Sequence, residues 1–152
     1  MSTETNPISL DKIESYTIWA RDIIRYADTD RQGHVNNAVF ATFLETGRVS
    51  ILYHPERPLA PAGAAFVIAR LALEFRSEIR WPGEVMIGTL VLRLGQSSVT
   101  LGQGLFVNGT CAAVAETVIV LMDEATRKSR PLPEPARAAL SALLPAETAS
   151  PN

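Results

Sequence analysis

Apolar positions along this chain change their period twice. The stretch YTIWARDIIRY is rich in β-branched and aromatic residues and predicts a strand ending at Tyr26, a residue expected in the core. From Asn36 to Tyr53, apolar residues fall on nearly every helical face: Val39, Phe40, Phe43, Leu44, Val49, Ile51 and Leu52. A helix apolar almost all round is a buried helix. HPERPLAPAG, with three prolines and a glycine, reads as a loop. Four strands are then expected in AAFVIARLALEFRSEIR, EVMIGTLVLRLG, SVTLGQGLFVNG and TCAAVAETVIVLMD. Turn signals stand between them at Trp81-Pro82-Gly83, Gly95-Gln96-Ser97 and Asn108-Gly109, the last being the strongest hairpin signal. Within the second of the four, Val85, Ile87, Thr89, Val91 and Arg93 alternate with Met86, Gly88, Leu90, Leu92 and Leu94.

The order is therefore strand, polar loop, long buried helix and four antiparallel strands. That is an α+β layout in which a twisted antiparallel sheet wraps around one central helix. A lone helix on a sheet with free edges invites pairing with a second copy. Residues 1–15 are polar and expected to be flexible, residues 16–130 form the domain, and residues 131–152 form a tail. Within that tail PARAALSALL predicts a short helix.

Composition narrows the function classes. The 152 residues are 47% hydrophobic and 20% charged, ordinary for one globular domain with a sizeable core. A formal charge of −2 gives no global attraction for nucleic acid or an anionic membrane. The single cysteine, Cys111, excludes an intrachain disulfide and fits a reducing compartment. MSTETNPISLDKIES lacks the features of a signal peptide, and no apolar run reaches the length of a membrane span. A cytoplasmic location is expected.

Between the first strand and the helix lies DTDRQGHVNN, Asp28 to Asn37, a dense polar patch flanked by core-forming segments. A calcium loop needs a bidentate Glu at its twelfth position, where this chain has Val39. Zinc lacks ligands, since only His34 and His54 exist and Cys111 is remote. No metal is expected. A helix cap accounts for part of the pattern: Asn36 or Asn37 accepts from free N–H groups, Asp28 and Asp30 sit near the positive end of the helix dipole, and Gly33 permits a tight turn. The same physics also supports chemistry. Unpaired N–H groups at a helix start stabilise an oxyanion as they do a phosphate, and a nearby carboxylate attacks a carbonyl or activates water. A carboxylate is a weak base, with a pKa of about 3.9 for Asp, which suits an activated acyl compound such as a thioester.

YADTDRQGHVNNAVFATFLETGR resembles the signature of hotdog-fold acyl-CoA thioesterases of the 4-hydroxybenzoyl-CoA thioesterase type. The resemblance covers roughly residues 15–130 in element order, with the specific motif confined to this run. It implies hydrolysis of an acyl- or aroyl-CoA, with coenzyme A as part of the substrate and no other cofactor. Asp30 matches the family's catalytic carboxylate, nucleophile or general base, and the backbone N–H of Asn37 matches the oxyanion donor. Asn36 matches a polar position that orients water or thioester, and His34 a supporting or capping histidine. Glu45 matches an acidic helix position. It lies roughly 12 Å from Asn37 along the axis. It either assists across the pocket or pairs with Arg48 at i+3, and the spacing favours the pair. The family holds coenzyme A at a dimer surface with basic side chains on its phosphates. Arg127, Lys128 and Arg130 are the candidates here, with Arg76 and Arg80 as outsiders. A homodimer or homotetramer is implied. The rivals are a hotdog protein that binds acyl-CoA or an acyl carrier protein without hydrolysis, and a hotdog hydratase or dehydratase. Hydratases usually place a histidine some five residues after the Asp, whereas His34 stands four after Asp30 inside HVNN.

Overall fold

The computed structural model describes residues 8–145; the first residues of the N-terminal segment and the end of the tail lie outside them. Five strands, β1 (Ile18–Ile24), β2 (Ala64–Phe75), β3 (Gly83–Leu94), β4 (Ser98–Val107) and β5 (Thr110–Asp123), form one antiparallel sheet in the order β1-β3-β4-β5-β2. The long helix α1 (Asn37–Leu52) crosses one face, and α2 (Glu134–Ser141) closes the far end. Asn108 and Gly109, with φ of 50° and 81°, make the tight turn between β4 and β5.

The core lies between α1 and the inner face of the sheet. Phe43 and Leu44 of α1 meet a floor that includes Val85, Ile87 and Leu105, all fully buried or nearly so. The approach is close at Gly47. A Cβ there would stand 2.6 Å from Ile87 Cγ2 and 2.7 Å from Gln103 Nε2, so only hydrogen fits. Gln103 is wholly buried and uses that closeness: Nε2 donates to the Leu44 carbonyl at 3.0 Å and to Thr89 Oγ1 at 2.9 Å. A buried amide in a low dielectric is costly unless so satisfied.

α1 packs chiefly on β1, β3 and β4. It is therefore not covered all round, as its composition predicts: Ala38, Thr42, Glu45 and Val49 are exposed in this chain. The uncovered strip of sheet is β2. A bulge between Ile68 and Arg70 re-phases its alternation, so Phe66, Ile68, Leu73 and Phe75 all reach the helix side. Ile68, Leu71 and Phe75 are left 49%, 37% and 49% exposed.

Residues 8–15, expected to be loose, instead cross the outer face of the sheet. Leu10 and Tyr16 lie over Gly88, Gly102 and Gly104, whose missing side chains make the room. The Tyr16 hydroxyl donates to the Leu10 carbonyl. Tyr26 is another correction. β1 ends at Ile24, and Tyr26 stands 74% exposed in edge contact with Trp81, because the chain turns at residues 26–28 before the helix.

Candidate active site

The polar run is folded by its own side chains. Asp28 is buried, with Oδ2 accepting the Arg25 backbone N–H at 2.8 Å and Oδ1 lying 3.4 Å from the Arg25 guanidinium. Its carbonyl accepts from Asn36 N, so Asp28 spans the loop as a strut. Asp30 starts the next turn. Its Oδ1 accepts the N–H of Gln32 at 2.8 Å and of His34 at 3.2 Å, and its N–H donates to the His34 carbonyl at 2.7 Å. Gly33 supplies the positive φ, 82°, that this turn requires. Val35 N–H donates to the Ile79 carbonyl and ties the loop to the segment between β2 and β3.

The helix then starts with its donors facing outward. Asn36 is the N-cap, its Oδ1 accepting from Ala38 N at 3.0 Å. Asn37, the first helical residue, has no acceptor for its backbone N–H among the described residues. Asp30, His34 and Asn37 share one cavity of about 350 Å³ with Val35, Phe40, Phe75, Arg76, Ser77 and Glu78. Asp30 lines this cavity, and its Oδ2 has no hydrogen-bond partner among the described residues. Phe40 and Phe75 meet edge to face at 5.0 Å and form an apolar wall. A larger hollow of about 440 Å³ is lined by residues 8–11 and parts of β2 and β5, and it includes none of the residues of the polar run.

The structure gathers Asp30, His34 and Asn37 around one cavity, while Asn36 does not line it and spends its side-chain oxygen on the helix cap; Glu45, Arg127, Lys128 and Arg130 lie elsewhere. Glu45 lines a different, smaller hollow with Arg48, Tyr53 and Phe66. The favoured Glu45–Arg48 ion pair is not formed. Arg48 is 5% exposed and donates to Gln103 Oε1 at 3.5 Å, because it turns beneath the helix while Glu45 stays on the open flank. Burial lowers the Arg48 pKa, and the nearby Glu45 charge offsets part of that. Arg127, Lys128 and Arg130 follow β5, near the Asp123–Ala64 end of the β2–β5 ladder, whereas the cavity lies at the Phe75 end. The length of β2 separates them, roughly 36 Å within one chain. Arg130 is occupied by Asp123 at 3.7 Å.

The link between β2 and β3 brings Ser77 and Glu78, which the sequence pattern did not offer, together with Arg76 and Arg80, the outside candidates among the basic residues. Glu78 and Ser77 line the cavity with Arg76, and Arg80 touches His34. In sequence, RSEIR is only a run of alternating charge. Among the described residues no cluster of His, Cys, Asp and Glu has the makings of a metal site, and no helix is long and apolar enough to cross a membrane.

The sequence profile of the thioesterase-like superfamily matches residues 24–140. The chain belongs to that superfamily. Solved structures agree with the hotdog architecture of this thioesterase-like chain. A thioesterase from Thermus thermophilus, complexed with coenzyme A and zinc, is 30% identical, with a TM-score of 0.74 over 86% of this chain and 96% of that one. The PA5185 protein from Pseudomonas aeruginosa is 25% identical, with a TM-score of 0.79 over 89% and 96%. A predicted thioesterase from Bacillus stearothermophilus is 26% identical, with a TM-score of 0.76 over 84% and 96%. No curated protein matches the sequence significantly.

Proposed function

We propose that this chain is an acyl-CoA thioesterase, hydrolysing an acyl- or aroyl-CoA to a carboxylate and free coenzyme A. The observation that carries the reading is the shared cavity of Asp30 and Asn37. The Asn37 N–H donates to no competing partner among the described residues and is aimed by the Asn36 cap, so it suits a developing oxyanion. Asp30 keeps one carboxylate oxygen for attack on the thioester carbon or for proton removal from water. Water adds to the acyl carbon, the C–S bond breaks, one proton of the water ends on the departing sulfur as the thiol, and the other is released as the product becomes a carboxylate. The Thermus relative, described as complexed with coenzyme A, supports the substrate class.

The reading includes a second copy of the chain. β2 is an edge strand twelve residues long, and its helix-side residues Ile68, Leu71 and Phe75 are exposed. Antiparallel pairing of two β2 edges about a two-fold axis brings the Phe75 end of one beside the Ala64 end of the other. The basic turn at Arg127, Lys128 and Arg130 of the partner subunit then stands near the Asp30 cavity, which suits it to the phosphates of coenzyme A. The same pairing places Glu45 of the partner subunit on the facing helix. We place the protein in the cytoplasm, in keeping with its single cysteine.

A panel of acyl-CoA thioesters assayed with a free-thiol reagent, beside a thermal-shift scan, tests the reading. Thiol release is expected. Thermal stabilisation without release supports the rival, a non-hydrolysing acyl-CoA or carrier-protein binder. A change in enoyl absorbance without thiol release supports a hydratase.

A further inference from the structure

The Nε2 atom of His34 has two neighbours with opposite demands. Nη2 of Arg80 lies 2.9 Å away and Oε2 of Glu78 lies 3.1 Å away, while those two are 3.4 Å from each other. A guanidinium donates and never accepts, so a hydrogen bond from Arg80 needs the lone pair of Nε2. A carboxylate only accepts, so Glu78 needs a proton on the same atom. The Arg80 contact is the shorter of the two and has hydrogen-bonding geometry. Glu78 meanwhile accepts from Arg80 and anchors it.

We propose that Arg80 is a positioning residue that fixes the tautomer of the neutral His34 ring, with its proton on Nδ1. His34 then serves the cavity as a hydrogen-bond donor, and proton acceptance is left to Asp30. Among the described residues Nδ1 has no hydrogen-bond partner, so the donor is free. The charged groups around the ring are Arg80 and Glu78 at Nε2, with Asp30, whose Oδ1 takes the His34 backbone N–H, and Arg76 on the same cavity. A neutral imidazole donor is a known device for polarising a carbonyl, because it donates without carrying a charge that must later be neutralised. The catalytic meaning of this arrangement rests on the thioesterase reading above; the proton position does not.

Nitrogen-15 NMR of the imidazoles tests it directly. The chain has only two histidines, His34 and His54, so His54→Gln assigns the spectrum. Near neutral pH the free protein is expected to show His34 protonated on Nδ1 and bare on Nε2. Arg80→Ala is expected to move the proton to Nε2, toward Glu78, whereas Glu78→Gln leaves it on Nδ1. Arg80 is largely exposed, so its replacement leaves the fold intact. In turnover, Arg80→Ala and His34→Ala should each lower kcat by at least about tenfold. The double variant should lose no more than either alone. An Nε2–H tautomer in the free protein, an unchanged spectrum in Arg80→Ala, or additive losses in the double variant overturns the proposal. The spectra need no substrate, so absence of thiol release across the acyl-CoA panel counts against the reaction and not against the proton position.

Discussion

Asp30 Oδ1 accepts the backbone N–H of Gln32 at 2.8 Å, so half of this carboxylate is built into the turn that carries it. The bond needs only a carbonyl-like oxygen. Asn at position 30 retains it and loses the negative charge. Asp30→Asn is therefore expected to keep the fold, with an unchanged melting temperature, and to lose at least about 100-fold in kcat, the usual scale for a general base or nucleophile. Full hydrolytic rate in this variant would remove Asp30 from the mechanism.

The cap at Asn36 couples stability to the chemistry. Asn36→Ala removes the acceptor for Ala38 N. Loss of an N-cap typically costs about 1 kcal/mol. Urea denaturation should show that loss in midpoint with an unchanged slope. Turnover should also fall, because a frayed first turn no longer holds the Asn37 N–H in place.

Gly47 decides how close α1 lies to the sheet. Alanine normally favours a helix over glycine by about 1 kcal/mol. Here the added Cβ would meet Ile87, Gln103 and Thr89 at 2.6–2.9 Å. Overpacking of this kind costs about 1–3 kcal/mol. The steric term wins, and Gly47→Ala is expected to be destabilising. Gln103→Leu should be worse, since it leaves the buried Arg48 guanidinium without its acceptor and removes the bonds to Thr89 and the Leu44 carbonyl. Chemical denaturation of the two variants checks both the signs and the order.

Self-association is expected to run through β2. Leu71→Lys places a charge in the middle of the exposed apolar strip while leaving the core of one chain untouched. Sedimentation should shift toward the monomer, and hydrolysis should fall with it. A variant that remains fully associated would move the interface elsewhere.

Tyr16 gives a pH signature. Burial, with lesser contributions from Cys111 and Asp11, raises its pKa well above the ordinary value. The folded state therefore holds a proton that the unfolded state loses above about pH 10. Stability tied to Tyr16 is fully present below that pH and declines as pH rises. Tyr16→Phe should lower stability near neutral pH through loss of the bond to the Leu10 carbonyl. Above pH 10 the gap to the wild type should narrow, as seen in thermal melts across the alkaline range.

Local patterns along the chain determined much of this protein. The helix from Asn37, its Asn36 cap, the Gly33 turn and the Asn108-Gly109 hairpin all depend on neighbours a few residues apart, so the sequence already carries them. The hydrophobic periods likewise determined an α+β sheet with one long helix, and DTDRQGHVNN marked one wall of the candidate site. The tertiary structure alone decided what faces that wall. Glu78 and Arg80 reach His34 across more than forty residues of sequence, and no period predicts that pairing. The bulge in β2 and the sideways seat of α1 decided that Ile68 and Phe75 lie open, because one inserted residue reverses which face a strand shows. Arg48 illustrates the same limit: spacing offers it Glu45, yet the close packing beneath Gly47 turns it toward Gln103.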